Sequence, residues 1–442
     1  MHLVIIGNGI TGVTCALAVR RLQPTARITL VSDESAHHYA RTALMYVYMG
    51  HLRYQDIKPY EDWFWTENRL ELVQATATSL DIIRKQVLLS AGAPLAYDKL
   101  LLATGSVTKY YNWPGQDLRG VQGLVGLSEL ARMEQDTHGV RQAVVVGGGL
   151  IGVELAEMLH TRGIAPTLLV RDTHYWGGVL PPEEANLIDQ QFRQHHIEVR
   201  YRTELATILG DDSGRVRAVR TTAGEELPCQ WVGIATGVTP NITLAQTAAT
   251  IDTDRGILVD AYLQTSAPDV YAAGDCAQFR APAPGEVAVE QLWYTGRHQG
   301  ETVAHAICGQ PQPYSRGVWF NSAKFFHLEY QTYGRVPARP EAGTESFYWE
   351  NPRAAQALRI NFRPDQGGAV TGVNALGLRQ RHDVWAQWLR HQIPIQQVLA
   401  ELESANFDPE FFRRHERAIV QQFNQQFPQL PVTLKKRKGL FS

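Results

Sequence analysis

The chain has 442 residues, which is room for two or three domains of ordinary size. Its 44% hydrophobic and 19% charged residues are the balance of a globular protein that buries its core without staples. A formal net charge of −2 excludes a general nucleic-acid binder, which needs a basic face to displace counterions from phosphate.

In chain order, Leu3 to Ile6 is a short apolar run closed by glycine, Thr11 to Leu22 has helical spacing with Pro24 beyond it, and Arg27 to Val31 is a second strand. Together they predict one βαβ unit. The opening MHLVIIGNGITG has no basic segment and no small-residue cleavage site, so no signal peptide is expected. Leu100 to Gly105 predicts a strand ending in Thr-Gly. The βαβ pattern then repeats: Ala143 to Val146 is β-rich, Gly147 to Gly149 is a glycine turn, Leu150 to Arg162 is helical and Thr167 to Val170 is the next strand. Val232 to Gly237 is a second strand ending in Thr-Gly, and Val270 to Cys276 ends in Gly274-Asp275, with a loop and helix expected after it.

Beyond about residue 310 the pattern changes. Gly334 to Val373 alternates polar and apolar residues and predicts antiparallel strands. His382 to Phe427 is helical in character, broken near Pro394 and Pro409, and Lys435 to Lys438 is a short basic run expected to be solvated. No stretch reaches the roughly 20 apolar residues that span a bilayer, so a cytoplasmic enzyme is expected. Cys15, Cys229, Cys276 and Cys308 form no close pair, which fits a reducing compartment and neither a disulfide framework nor a zinc site.

Gly7-Asn8-Gly9-Ile10-Thr11-Gly12 sits between a strand and a helix, the context in which such glycines bind a dinucleotide. Gly7 makes the turn, Gly9 lets a pyrophosphate approach the backbone, and Gly12 lets the helix pack on the strand. Asp33, 21 positions after Gly12 and followed by Glu34, is placed to accept ribose hydroxyls. The second fingerprint is Gly147-Gly148-Gly149-Leu150-Ile151-Gly152, followed by Glu154. After its second strand stand Arg171, which would pair with a 2′-phosphate, and Asp172, which would repel one, so NADH and NADPH both stay open. Asp275 reads either as an acceptor for a polyol or as a helix cap.

These elements, in this order, resemble the FAD-dependent pyridine nucleotide–disulfide oxidoreductase superfamily over roughly residues 1–310. The resemblance is greatest to the branch without a dithiol: ferredoxin and rubredoxin reductases, the flavin part of nitrite reductases, NADH oxidases and apoptosis-inducing-factor-like proteins. It implies an α/β fold with two Rossmann-like dinucleotide-binding domains, the NAD(P) domain inserted in the FAD domain, and a C-terminal α+β interface domain. The implied segments are 1–115 and 243–310 for FAD, 116–242 for NAD(P) and 311–442 for the interface.

The resemblance also implies site residues. FAD would be held by Gly7, Gly9, Ile10, Thr11, Gly12, Asp33, Glu34, Arg41 and Thr42, by Ala103, Thr104 and Gly105, and by Gly274 and Asp275 at the ribitol. Leu292 and Trp293 open a helix whose positive end would face the flavin pyrimidine ring. Gly147, Gly149, Leu150, Ile151, Gly152, Glu154, Arg171, Thr236 and Gly237 would hold NADH or NADPH, with Glu154 near the nicotinamide.

Relatives often carry an Arg-Pro-x-Leu-Ser-Lys stretch where this chain reads Arg41-Thr42-Ala43-Leu44-Met45, so Arg41 is kept for the pyrophosphate while the proline and lysine are missing. With no dithiol, electrons would leave the flavin directly, and hydride transfer between the cofactors requires no acid–base side chain. A small iron–sulfur electron carrier is the leading acceptor. Oxygen, a quinone, or a binding and assembly role with slow turnover are the alternatives. Trp319, Phe320, Phe325 and Phe326 would be the docking surface in that last case and core residues otherwise. The segment Phe411 to Phe427 reads as packing on the body or on a second copy in a homodimer.

Overall fold

A computed structural model describes residues 1–408, 410–411 and 413–435. It divides into two compact units, the first made of Met1–Gly147, Met158–Pro166 and Leu205–Arg316, the second of Gly148–Glu157, Thr167–Glu204 and the described residues from Gly317 onward.

The first unit is organised by a five-stranded parallel sheet. Its order is Val270–Ala272, Lys99–Leu102, His2–Ile6, Arg27–Ser32 and Leu70–Gln74. Leu3, Val4 and Ile5 are fully buried, as expected of a central parallel strand covered on both faces. The first helix, Ile10–Leu22, lies against the helix Trp293–Ile307 at very short range. A Cβ added at Gly300 would stand 2.5 Å from the Thr11 carbonyl oxygen, so only glycine permits this approach. In the same unit Gln142–Val146 pairs in parallel with Trp231–Ile234, which pairs in turn with Val121–Gln122. Ser106–Thr108 runs antiparallel to Val238–Pro240, and two small antiparallel meanders cover residues 77–96 and 205–228.

In the second unit, residues 167–170 pair in parallel with Glu198–Tyr201, and the helix Pro182–Gln194 lies between them in the chain. The C-terminal part is a five-stranded antiparallel sheet, in the order Phe320–Phe325, Leu328–Gly334, Ala369–Leu376, Ala357–Arg363 and Glu345–Glu350. The helices His382–Arg390, Ile395–Ala400 and Glu416–Gln426 complete it around Phe347, Trp349, Phe362, Trp385 and Phe423.

The expected α/β class with parallel sheets and a C-terminal α+β region is therefore found. The strands expected between Gly334 and Val373 are present, and Pro394 caps a new helix where the helical pattern was expected to break. Pro409 and the basic residues Lys436, Arg437 and Lys438 lie outside the described residues. Phe325 and Phe326 are buried, which makes them core. One expectation fails: Gly274-Asp275 leads into the strand Ala277–Phe279, parallel to Ile257–Val259, and not into a helix. The Ala277 amide closes a turn on the Gly274 carbonyl at 2.9 Å, so Asp275 caps nothing. Among the described residues no helix is long and apolar enough to cross a membrane.

Candidate functional site: two glycine turns of one design

The first glycine turn is built by backbone contacts that exclude side chains. Gly7 has φ +111°, a region L-residues avoid, and its amide donates to the Val31 carbonyl at 2.8 Å. A Cβ there would lie 2.1 Å from the Ala103 carbonyl oxygen, and one at Gly12 would lie 2.0 Å from the Gly7 carbonyl oxygen. A Cβ at Gly9 would meet nothing within 4 Å. Gly9 also stands at the start of Ile10–Leu22 with no side chain capping the helix. The turn thus leaves a bare helix N-terminus facing open space, which is the arrangement that receives a pyrophosphate. Asn8 fastens the turn to the following loop: its Nδ2 donates to the Ser35 carbonyl at 2.9 Å, and its carbonyl meets His38 Nδ1 at 2.8 Å.

Distant segments converge on this turn. The Thr11 hydroxyl would be 2.5 Å from a Cβ at Gly274 and 2.9 Å from one at Gly296, so all three residues meet. The Gly274 amide donates to Gln299 Oε1 at 2.7 Å, and Gln299 Nε2 donates to the buried Glu290 at 3.2 Å. Glu290 also accepts from the Tyr314 hydroxyl at 2.7 Å and faces Arg316 Nη1 at 3.4 Å. Asp275 accepts from Ser106 Oγ at 2.8 Å. Burial raises its carboxyl above the usual range, while the Ser106 hydrogen bond and the Arg41 charge oppose that shift. Thr104 donates to the Asn241 carbonyl at 2.6 Å, and Gly105 has φ +71°. Leu292 and the exposed Trp293 open the helix that carries Gly296 and Gln299, again with no side-chain cap.

The loop after the second strand sorts its carboxylates. Asp33 is exposed and makes no hydrogen bond or ion pair among the described residues. Glu34 is committed: it accepts from Tyr39 and the Leu127 amide, each at 2.6 Å, and pairs with Arg41 at 2.7 Å. Burial would raise the Glu34 carboxyl, but Arg41 and these donors bring it below the ordinary range. Arg41, expected at a pyrophosphate, donates here to Glu34 and to the Val125 carbonyl, and Thr42 is exposed.

The second turn repeats the first in detail. Gly147 has φ +126°, and its Cβ would lie 2.2 Å from the Ala235 carbonyl oxygen, as Gly7 stands to Ala103. The Ala235 amide donates to the Val146 carbonyl at 2.8 Å, matching the 2.8 Å bond from Ala103 to Ile6. Thr236 donates to the Lys109 carbonyl at 2.8 Å, as Thr104 does to Asn241, and Gly237 has φ +99°. In the second unit a Cβ at Gly149 would meet nothing within 4 Å, as at Gly9. Leu150 and Ile151, both half-buried, and buried Gly152 begin the helix, and the Gly152 amide donates to the Gly149 carbonyl at 3.0 Å. Arg171 and Asp172 are both exposed at the strand end.

Glu154 lies one turn along that helix, its carboxyl pushed up to about 7 by burial and then by Glu157. A folded value above the unfolded one, near 4.5, means that the folded state holds the proton more tightly. The stability this gives is present below about pH 4.5 and is lost as pH rises to about 7. Glu154→Gln is therefore expected to unfold later than wild type at pH 8, by about 1–3 kcal/mol, with little change at pH 4.5. Urea titrations at the two pH values measure this, and parallel pH slopes for both proteins would refute it.

All four cysteines are free thiols, and burial raises each thiol above its ordinary range. Cys276 Sγ lies 3.4 Å from the Leu102 and Ala273 carbonyl oxygens, a packing position. Ser106 is the residue of this cluster that the sequence motifs do not mark. Ser106 follows directly on Thr104-Gly105, and that adjacency is the one signal that could have found it.

The residues present fit a dinucleotide at each turn: each has a glycine whose Cβ would meet nothing at the start of a helix, and the first also has an uncapped helix end and the exposed carboxylate of Asp33. The fold and the family match below are those of a flavin-dependent pyridine nucleotide oxidoreductase, a class that takes FAD and NAD(P)H. The chain belongs to the pyridine nucleotide-disulphide oxidoreductase family, whose model matches residues 1–300. It is 32% identical over 310 residues to the biphenyl dioxygenase system ferredoxin–NAD(+) reductase component of Paraburkholderia xenovorans, covering 70% of this chain and 75% of that one. It is 31% identical over 342 residues to the nitrite reductase [NAD(P)H] of Bacillus subtilis, covering 74% of this chain but spanning only 40% of that relative's length. Among solved structures it is similar to a ferredoxin reductase from Rhodopseudomonas palustris, with TM-score 0.76, 25% identity and coverage of 85% and 91%. These similarities match the branch without a redox dithiol.

Proposed function

We propose that this chain takes hydride from NAD(P)H and hands the electrons to a small iron–sulfur protein of the ferredoxin type. The observation that carries this reading is the state of the cysteines: four separate thiols leave no internal disulfide to reduce, so the acceptor must be external. Two of the similar proteins named above are ferredoxin reductases, which favours an iron–sulfur acceptor.

In this reading Gly7, Gly9, Ile10, Thr11 and Gly12 receive the FAD pyrophosphate, Asp33 accepts from the adenosine ribose, and Asp275, oriented by Ser106, accepts from the ribitol. FAD, when bound, supplies a hydride acceptor and a conduit for electrons. Glu34 holds Arg41 beside the pyrophosphate. Leu292 and Trp293 present the positive helix end to the flavin ring. Gly147, Gly149, Leu150, Ile151, Gly152, Thr236 and Gly237 receive the nicotinamide dinucleotide, with Glu154 beside its reactive ring and Arg171 at the adenosine end. The corresponding division is 1–115 with 243–310, 116–242 and 311–442. The proposed compartment is the cytoplasm.

Anaerobic rapid mixing of the FAD-loaded protein with NADH and with NADPH tests the first half. Reoxidation by ferredoxin, oxygen and a quinone in parallel tests the second. Rapid bleaching by at least one nucleotide, followed by fastest recovery with ferredoxin, is expected. No bleaching, or fastest recovery with oxygen or quinone, would refute the corresponding half.

A further inference from the structure

We infer that Tyr175 is a positioning residue for the nicotinamide cofactor, setting the second glycine turn from a buried carboxylate, Asp189. The inference rests on the reading of that turn as the NAD(P)H site, and all its residues lie within the second unit.

Tyr175 is fully buried, four positions after Arg171. Its hydroxyl donates to the Gly149 carbonyl at 2.6 Å. The same carbonyl accepts from the amides of Gly152 at 3.0 Å and Val153 at 3.3 Å, so it closes the first turn of the helix. Pinning that oxygen fixes the direction of the helix-end amides, which have no partner within the helix and are what a pyrophosphate would meet.

The tyrosine is itself held from both sides. Its backbone amide donates to Asp189 Oδ1 at 3.0 Å. Asp189, 4% exposed on the helix Pro182–Gln194, also accepts from the Tyr201 hydroxyl at 2.5 Å and meets His174 Nδ1 at 2.8 Å. The next residue, Trp176, has φ +60°, a strained conformation for a bulky side chain. Its ring packs 5.2 Å from Phe325 and 5.3 Å from Tyr330, and that packing holds the strain in place. A loop fixed this firmly, with its one buried hydroxyl on the glycine turn, holds the turn ready before the ligand arrives. Pre-organisation of this kind lowers the cost of binding and does not touch the chemical step.

The test is Tyr175→Phe with Tyr201→Phe as its control. Tyr201 shares Asp189 but does not bond Gly149, so it carries the structural part alone. Rapid mixing of each FAD-loaded protein over a range of NADH and NADPH concentrations separates apparent affinity from the limiting rate of flavin bleaching. For Tyr175→Phe the apparent dissociation constant is expected to rise about five- to tenfold, the scale of one lost buried hydrogen bond, with the limiting rate within about twofold of wild type. FAD content should not change. Tyr201→Phe should lower the melting temperature comparably and leave the constant unmoved. Asp189→Asn, a second route to the same loop, should weaken nucleotide binding in the same direction. Equal constants for Tyr175→Phe and wild type, or an equal rise in Tyr201→Phe, overturn the inference. A wild type that neither nucleotide bleaches overturns the site reading and the inference together.

Discussion

Replacing Gly7 with alanine is expected to yield a protein that purifies without flavin. Two costs combine at this position. An L-residue at φ +111° is strained by about 1–2 kcal/mol. The new methyl would also lie 2.1 Å from the Ala103 carbonyl oxygen, far inside contact distance. Neither partner can give way cheaply. Ala103 follows directly on the strand Lys99–Leu102, which is paired on one side with His2–Ile6 and on the other with Val270–Ala272, and its amide donates to the Ile6 carbonyl. Relief must therefore open the turn, and the turn is the pyrophosphate site proposed above. A loss of about 3 kcal/mol or more corresponds to at least about a hundredfold weaker flavin binding. Visible flavin absorbance per chain after gel filtration measures it. Gly9→Ala is the useful companion, because its methyl meets nothing in the protein and φ there is ordinary, so it should fold like wild type. Full flavin content in Gly7→Ala would contradict the argument.

Arg359→Ala is expected to destabilise the second unit by about 3–5 kcal/mol, the cost of stranding a buried charge. Arg359 donates to Glu184 at 3.0 Å, to Glu183 at 2.8 Å and to Ser346 at 2.9 Å, and lies over the Tyr348 ring at 4.6 Å. Glu184 is fully buried, and its second oxygen accepts from Asn374 at 2.9 Å. Even with these partners, burial raises its carboxyl above the usual range. Without Arg359 the value climbs further, so the loss should be larger at pH 8 than at pH 5, where protonation relieves the stranded group. The pairing matters more than the charges: Arg359→Met combined with Glu184→Leu should recover most of the stability. Denaturant unfolding of the single and double variants checks this. A single variant within about 1 kcal/mol of wild type would show that the ion pair is not needed.

The backbone of each site could be read from the sequence because its chemistry is local. Gly7, Gly9 and Gly12 act within one turn, and so do Gly147 and Gly149; their spacing states what the backbone must do. The alternation in residues 334–373 likewise states which face of each strand is buried. What stayed hidden depends on long-range pairing. Ser106 meets Asp275 across 169 positions, and Gln299 meets the Gly274 amide across 25, and neither pairing can be read from a local window. Spacing from Gly12 marks Asp33 as the ribose acceptor but assigns no separate task to Glu34 beside it. The fold separates them by giving Glu34 a cation, a phenol and an amide, while leaving Asp33 in the open. The strand after Asp275 was missed for the same reason: its partner, Ile257–Val259, lies outside any local window.

The isolation of the four thiols also bears on how electrons would be stored under the proposed function. The thiols form no pair that could take up electrons, so they add nothing to the one electron pair a flavin holds. In that reading a donor that delivers two electrons at once and a carrier that removes one at a time are mismatched in stoichiometry. Under the proposed function the carrier would visit twice for every nucleotide consumed, so its docking would favour quick departure over tight hold.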